Sequence, residues 1–433
     1  MKTWKHCTLA GILAIIALTF VFSSCDINGN DSGKNDGYDN TVPGSNIEAK
    51  WAWLEANAKS DTNYTIVMKA NESIGPTTLE YYEFDESGEK TSKTNIGINI
   101  VSNGAERIIS LSSPGSLFIV AEGVTLSLGN NITLQGYYSD DSSLVIVNGN
   151  LVMNTGSRIT GSSGPGVAVI NGNFTMNGGE ISGNNSYGVL MGLGAFTMNN
   201  GKISGNAGCG AGVVMGSFTM NGGEISNNNS SSASSGGVFV VWGSFTMNGG
   251  VISGNTSGTD GSSVYGGGVY VGMGSFTMNS GIISGNTSSG NGKGGGVHVG
   301  MGSFTMNGGV ISGNATNGIG QGGGVYVAMG RFTMDGGVIS GNITSGNGEG
   351  GGVYVSVGST FLIVNGTIYG SNEANTGLRN TAADGEALYA YSSLSSYYAA
   401  KAQYGTFSDN IWNSNGELES TSDTIRVVNG ILQ

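Results

Sequence analysis

Gly323-Gly324-Val325-Tyr326-Val327-Ala328-Met329-Gly330-Arg331-Phe332-Thr333-Met334-Asp335-Gly336-Gly337-Val338-Ile339-Ser340-Gly341-Asn342 is the clearest copy of a phrase that the chain repeats from Phe174 to Ile368. The phenylalanine that opens each Phe-Thr-Met unit stands at Phe174, Phe196, Phe218, Phe245, Phe276, Phe304 and Phe332, with Phe361 as a degenerate last copy. A recurring unit of about 22 residues, stretched in places to about 31, is the signature of a solenoid.

Alternation within the unit gives its geometry, because residues i and i+2 of a strand share a face. Phe304 and Met306 then point one way while Thr305 and Asn307 point the other, and Val297 and Val299 alternate in the same way with His298. An isoleucine follows each phenylalanine at a constant distance (Ile181, Ile203, Ile225, Ile252, Ile283, Ile311, Ile339, Ile368). Three short strands, each with one apolar face, bury nothing alone, but coiled and stacked they form interior ladders about 4.8 Å apart. The expected fold is all-β, a parallel β-helix with three short strands per coil, right-handed because strand crossovers overwhelmingly are. Asn184, Asn206, Asn228, Asn255, Asn286, Asn314 and Asn342 suit a further ladder, since asparagine tolerates left-handed turns and its amide can bond its counterpart one coil away. The 80 glycines among 433 residues supply the remaining corners.

Around this block (residues 162–370) the chain reads as entrance, caps and tether. Residues 1–24 have a basic start, an apolar stretch from Leu9 to Phe22 and a Ser-Ser pair, as in a signal peptide. Cys25, directly after small residues, resembles a bacterial lipobox cysteine, with Phe22 where leucine is usual; this implies export and a lipid anchor in the membrane through Cys25. Residues 25–45 are a flexible Gly/Asn/Asp/Ser tether. Residues 46–161 hold a short capping helix from Asn46 to Lys59, with Asn46 as N-cap, then divergent coils. There Val124-Thr125-Leu126 and Leu151-Val152-Met153 fill the Phe-Thr-Met slot, and Ile132 and Ile159 extend the isoleucine ladder. Strands are expected near Tyr64–Val67, Leu79–Phe84, Ile96–Ile100 and Ile108–Leu111, and the regular part should run roughly 45 to 50 Å. Residues 371–433 form a C-terminal β cap closed by a strand around Ile425–Val428; they are too few for a membrane β-barrel.

Charged residues make up 10% of the chain and the formal net charge is −13, so the chain repels nucleic acid. Its three cysteines are too few for a disulfide framework. Polysaccharide lyases and glycoside hydrolases use β-helices, and they need paired carboxylates or a Ca²⁺ cluster with a base. The regular coils offer Glu180, Glu224, Asp260, Asp335 and Glu349 as acids, and Lys202, Lys293, Arg331 and His298 as bases. These are scattered: Glu180, Lys202 and Glu224 read as a salt-bridge column, and Cys209 as an inert thiol in a turn. The expectation is therefore no catalytic residue, no metal and no cofactor, with polysaccharide lyase or hydrolase activity as the alternative.

Two outer columns remain. Leu190, Val214, Phe239, Tyr270, His298, Tyr326 and Tyr354 form one stripe of surface residues beside the connections whose lengths vary, and solenoids build binding faces at such edges. Phe239, Tyr270, His298, Tyr326 and Tyr354 are the candidate binding residues, for a glycan or a cell-surface protein. The outward threonines, among them Thr277 and Thr305, permit an ice-binding array as a minor alternative, beside a purely structural coat.

Gly-Gly-Val-Tyr with Phe-Thr-Met-Asn resembles the paired Gly-Gly-Ala-x and Phe-x-x-Asn repeats of polymorphic outer-membrane proteins, which are bacterial surface β-helix adhesins. Phe-x-x-Asn is met from Phe174-Asn177 to Phe304-Asn307 and departs at Asp335. The chain is also similar to spirochaete-type repeat lipoproteins of unknown function, in Val124 to Gly136, Met153 to Gly161 and Thr424 to Gln433. The resemblance implies a pectin-lyase-like right-handed β-helix at the bacterial cell envelope, on the outer membrane or cell surface. The functional expectation is a lipid-anchored, non-catalytic adhesion protein.

Overall fold

The structure is a computed structural model in which residues 40–84, 86–138, 141–231, 235–258, 265–390, 423–428 and 431–432 are described. Of its two units, Met1–Tyr38 lies outside those residues, as does Cys25, and Asp39–Gln433 carries the fold. That unit is a right-handed parallel β-helix. The valine strands, such as Val325–Val327, stack in one parallel sheet of 12 strands, while the phenylalanine and isoleucine strands share a second, 24-stranded sheet.

Identical residues sit directly above one another. Phe276 pairs with Phe304 and Phe304 with Phe332, and the same register holds for Thr and Met. From Phe174 to Phe361 the rings stack with centroids 4.6 to 5.0 Å apart and planes 4° to 19° from parallel. The Met, Ile and Val ladders beside them are buried. One coil of spacing brings each ring into contact with the next, so every coil covers the core of its neighbour.

The asparagine ladder is buried too, and it continues one rung beyond the sequence reading, to Asn380. Each side chain donates from Nδ2 to Oδ1 of the next coil at 2.9 to 3.0 Å, from Asn184 onward. Successive rungs are 22, 22, 27, 31, 28, 28 and 38 residues apart, so loops of very different length leave the ladder unbroken. The left-handed corner, expected at the asparagines, belongs from Asn184 to Asn342 to the residue before: Gly183, Gly205, Gly254, Gly285, Gly313 and Gly341, with Asn227 at φ 54° before Asn228; before the last rung, Asn380, stands Arg379 at φ −66° instead. A second amide ladder, from Asn154 to Asn307, lines the surface beside the threonines. There each Nδ2 donates to the preceding coil, opposite to the buried ladder.

The later coils add a fourth strand to the expected three. Asn229–Ser230, Thr256–Ser257, Thr287–Ser288, Ala315–Thr316 and Ile343–Thr344 make a five-stranded parallel sheet just past the buried asparagines.

The divergent coils follow the same plan with corrected register. Leu126-Ser127-Leu128, not Val124-Thr125-Leu126, pairs with Leu151-Val152-Met153, and Leu134 rather than Ile132 stands beneath Ile159. Both errors are shifts of two residues, which leave every side chain on its own face and so escape the alternation pattern. The expected strand over Leu79–Phe84 is two: Thr77–Leu79 joins the valine sheet, and Tyr82–Phe84 pairs antiparallel with Lys90–Ser92. The stack also passes residue 371, since Leu388–Ala390 is the last valine strand.

Both ends are covered. The helix Ile47–Asn57 begins at Asn46, whose Oδ1 accepts from Ala49 N at 2.9 Å. It sets Trp51 edge-on against Phe118 with centroids 5.6 Å apart. Burial lowers the pKa of Lys50, whose Nζ donates to Val67 O at 3.1 Å. At the other end Ile425–Val428 lies antiparallel to Gly366–Ile368 and pairs with Ile431–Leu432.

Candidate binding edge

The aromatic stripe is a continuous stacked column with one member to correct. Gly212, not Val214, lies between Leu190 and Phe239, because Ala211 takes the first valine slot of that coil. Above it Phe239, Tyr270, His298, Tyr326, Tyr354 and Tyr389 stack at 4.8 to 5.2 Å. Phe239 and Tyr270 keep partial exposure, but His298, Tyr326 and Tyr354 are 3 to 4% exposed and are not surface residues.

The reason lies in the connections. Each ends in a residue followed by glycine with φ of 63° to 71° (Gly266, Gly294, Gly322, Gly350, Gly385), which folds the loop back over the stripe. The residues before these glycines form their own ladder of parallel bridges, Tyr265 to Lys293, Lys293 to Gln321, Gln321 to Glu349 and Glu349 to Asp384. Tyr265 meets His298 edge-on at 4.7 Å, and Lys293 Nζ lies 5.1 Å from the Tyr326 ring centre. Beneath this cover burial drives the His298 pKa down to about 3, against the acceptance of its ring nitrogen contact by the Lys293 carbonyl at 3.3 Å. The phenol of Tyr354 is raised by burial and by Glu349.

The exposed apolar column is elsewhere, at the turn that links each valine strand to the next phenylalanine strand. Ile170, Leu193, Met215, Trp242, Met273, Met301, Met329 and Val357 occupy that turn in successive coils and are 37 to 63% exposed. Their backbone is fixed coil to coil: Met273 N donates to Val241 O, Met301 N to Gly272 O and Met329 N to Gly300 O, at 2.7 to 2.9 Å. The glycine that follows is required, because a Cβ on Gly302 would lie 2.9 Å from Val271 Cγ1 and closer still to Gly274 O. With no room on the inner side of the turn, the residue before the glycine projects outward.

Two grooves follow this row. One of about 650 Å³ is lined by Leu193, Met215, Trp242 and Met273 with Gly243, Ser244 and their neighbours. The next, about 410 Å³, is lined by Met273, Met301 and Met329, and Arg331 is its single charged residue. The edge is thus a straight apolar crest with glycine and serine flanks. Its signal was present in the Met-Gly that recurs before Phe-Thr-Met at Met215, Met273, Met301 and Met329.

The acids considered for catalysis are dispersed. Arg158 precedes the expected column and pairs with Glu180 at 3.9 Å, and Lys202 pairs with Glu224 at 3.2 Å. Asp335 accepts from Asn365 Nδ2 at 2.9 Å and Glu349 from Gln321 Nε2 at 3.2 Å; Asp260 lies outside the described residues. Cys209 is buried, its Sγ donating to the Ser235 carbonyl. Among the described residues no three His, Cys, Asp or Glu side chains are grouped to hold a metal ion. No protein-family model matches the chain, and neither a curated protein nor a solved structure is similar enough to count as a match.

Proposed function

We propose that the chain is a non-catalytic binding protein of the bacterial cell envelope, anchored by lipid at Cys25, that engages a protein or glycan partner through the side of its β-helix. The observation that carries this reading is the row from Leu193 to Val357, since contiguous exposed apolar surface marks an interaction site. Trp242 at its middle supplies a large, rigid contact side chain of the kind that dominates binding energy. The Phe-x-x-Asn repeats shared with polymorphic outer-membrane proteins and the likeness to spirochaete-type lipoproteins support the location. The contact edge is moved here from the aromatic stripe, whose later members lie under the folded-back loops.

The test sets the lipidated chain beside a Trp242→Ser, Met273→Ser, Met301→Ser variant on glycan arrays and immobilised cell-surface proteins. Loss of at least about tenfold in affinity is expected, as truncating a central aromatic anchor typically costs 2 kcal/mol or more. Equal binding by both chains, or turnover of a polysaccharide by either, overturns the reading.

A further inference from the structure

The chain's 15 methionines fall into two sets. Apart from Met1, outside the described residues, ten are 0% exposed, while Met215, Met273, Met301 and Met329 are 57, 40, 57 and 63% exposed. No methionine falls between these sets, and all four exposed ones occupy the same turn slot. We infer that Met215, Met273, Met301 and Met329 are an oxidation site, at which a hydroperoxide or hypohalous acid converts the apolar crest into a polar one while the fold persists. The inference rests on the binding edge just proposed for its biological consequence, and on exposure alone for its chemistry.

With a peroxide, the thioether sulfur attacks one peroxide oxygen, an S–O bond forms and the O–O bond breaks. Sulfur loses two electrons and the peroxide gains them; the proton on the attacked oxygen passes to the second oxygen, which leaves as water from hydrogen peroxide or as an alcohol from an organic hydroperoxide. The product sulfoxide is polar and chiral, a change that disrupts methionine contacts and that dithiol-dependent reductases reverse. In the core such a change would be ruinous, because Met278 is 0% exposed and its Cε packs so tightly on Gly309 that a Cβ there would lie 2.6 Å away. On the crest the four methionines line the open grooves, and the backbone bonds of Met273, Met301 and Met329 run to neighbouring coils without the side chain. Three of the four lie in consecutive coils, so oxidation alters a continuous stretch of edge. The one thiol among the described residues, Cys209, is buried.

The experiment treats the full lipidated chain in detergent with dilute hydrogen peroxide, following each methionine by peptide mass and surface apolarity by retention on a phenyl matrix. Expected are one oxygen on each of the four crest methionines, at least about tenfold faster than on any core methionine, an unchanged circular dichroism spectrum and reduced retention. Methionine sulfoxide reductases should restore the retention. In a Met215→Leu, Met273→Leu, Met301→Leu, Met329→Leu variant, retention should no longer respond to peroxide. Comparable oxidation of core and crest, or a response that survives in the leucine variant, overturns the inference. A chain that binds no partner even when reduced removes the proposed function instead, and the mass and retention measurements still decide the oxidation site.

Discussion

Asn286 shows how one residue can hold a coil. Its Oδ1 accepts from Asn255 N and Nδ2 at 3.0 and 2.9 Å, and its Nδ2 donates to Asn314 Oδ1 and Ile252 O at 2.9 Å each. The four bonds use the full capacity of a primary amide in a fully buried place. Asn286→Ala should therefore destabilise by about 2 to 4 kcal/mol, because it leaves the buried backbone and side-chain N–H groups of Asn255 without their acceptor. Asn286→Asp retains the acceptor but aims a carboxylate at two acceptor oxygens, so this variant should gain stability as the pH falls and the acid becomes neutral. Denaturant melts of both beside the wild type at pH 4 and pH 7 check this; an aspartate variant that loses more stability than the wild type between pH 7 and pH 4 would contradict the ladder. The ladder itself was legible in the sequence, because one residue type recurred at one place in every unit. That its left-handed corner sits on the glycine before was not, since both residues tolerate such a conformation.

At the scale of strands and connections, alternation revealed which face each residue takes, and the Phe, Met, Ile and Val ladders follow from it. What alternation cannot reveal is whether an outward residue meets water or another piece of chain. His298 is outward with respect to its own sheet and still buried, because Lys293-Gly294 folds back over it. This position carries a pH dependence. The unfolded imidazole takes up a proton near pH 6.5, whereas the folded one stays neutral until about pH 3. As pH falls through that window the unfolded state binds the proton first, so stability is complete above 6.5 and is lost progressively down to about 3. His298→Tyr, which continues the column of Tyr270 and Tyr326, should remove about 1.4 kcal/mol of pH-dependent loss for each pH unit crossed. Thermal melts from pH 7 to pH 4 test it, and parallel curves for the two chains would reject the assignment. The Met-Gly turn was missed for the converse reason: a turn reads the same in sequence whether its tip is covered or bare.

For the stack as a whole, each coil contacts its neighbours alone, so the ends decide whether it stays single. At the first coil Trp51 closes the core against Phe118, and Leu54 and Ile47 are buried beside it. Trp51→Ala should cost about 3 to 5 kcal/mol, the usual range for losing a large buried aromatic side chain. It should also promote association through the uncovered strand edge. Sedimentation velocity over a range of concentrations would reveal this, and a monodisperse variant with wild-type stability would show that the helix is no lid. The N-terminal helix was readable from Asn46 and the apolar residues behind it. The continuation of the stack to Ala390 was not, because the last coil retains the asparagine rung and a valine-type strand but abandons the Gly-Gly phrase.

The unbroken asparagine ladder also bears on how such a chain changes through descent. Every coil offers the same rungs above and below, and differences in loop length are absorbed outside them, so any coil can follow any other. Unequal recombination between the near-identical segments that encode Phe276–Asn286 and Phe304–Asn314 would add or delete one whole coil and leave no mismatched seam. Length of the stack and length of the apolar crest would change together, in steps of one strand spacing, about 4.8 Å, without a new core having to be selected.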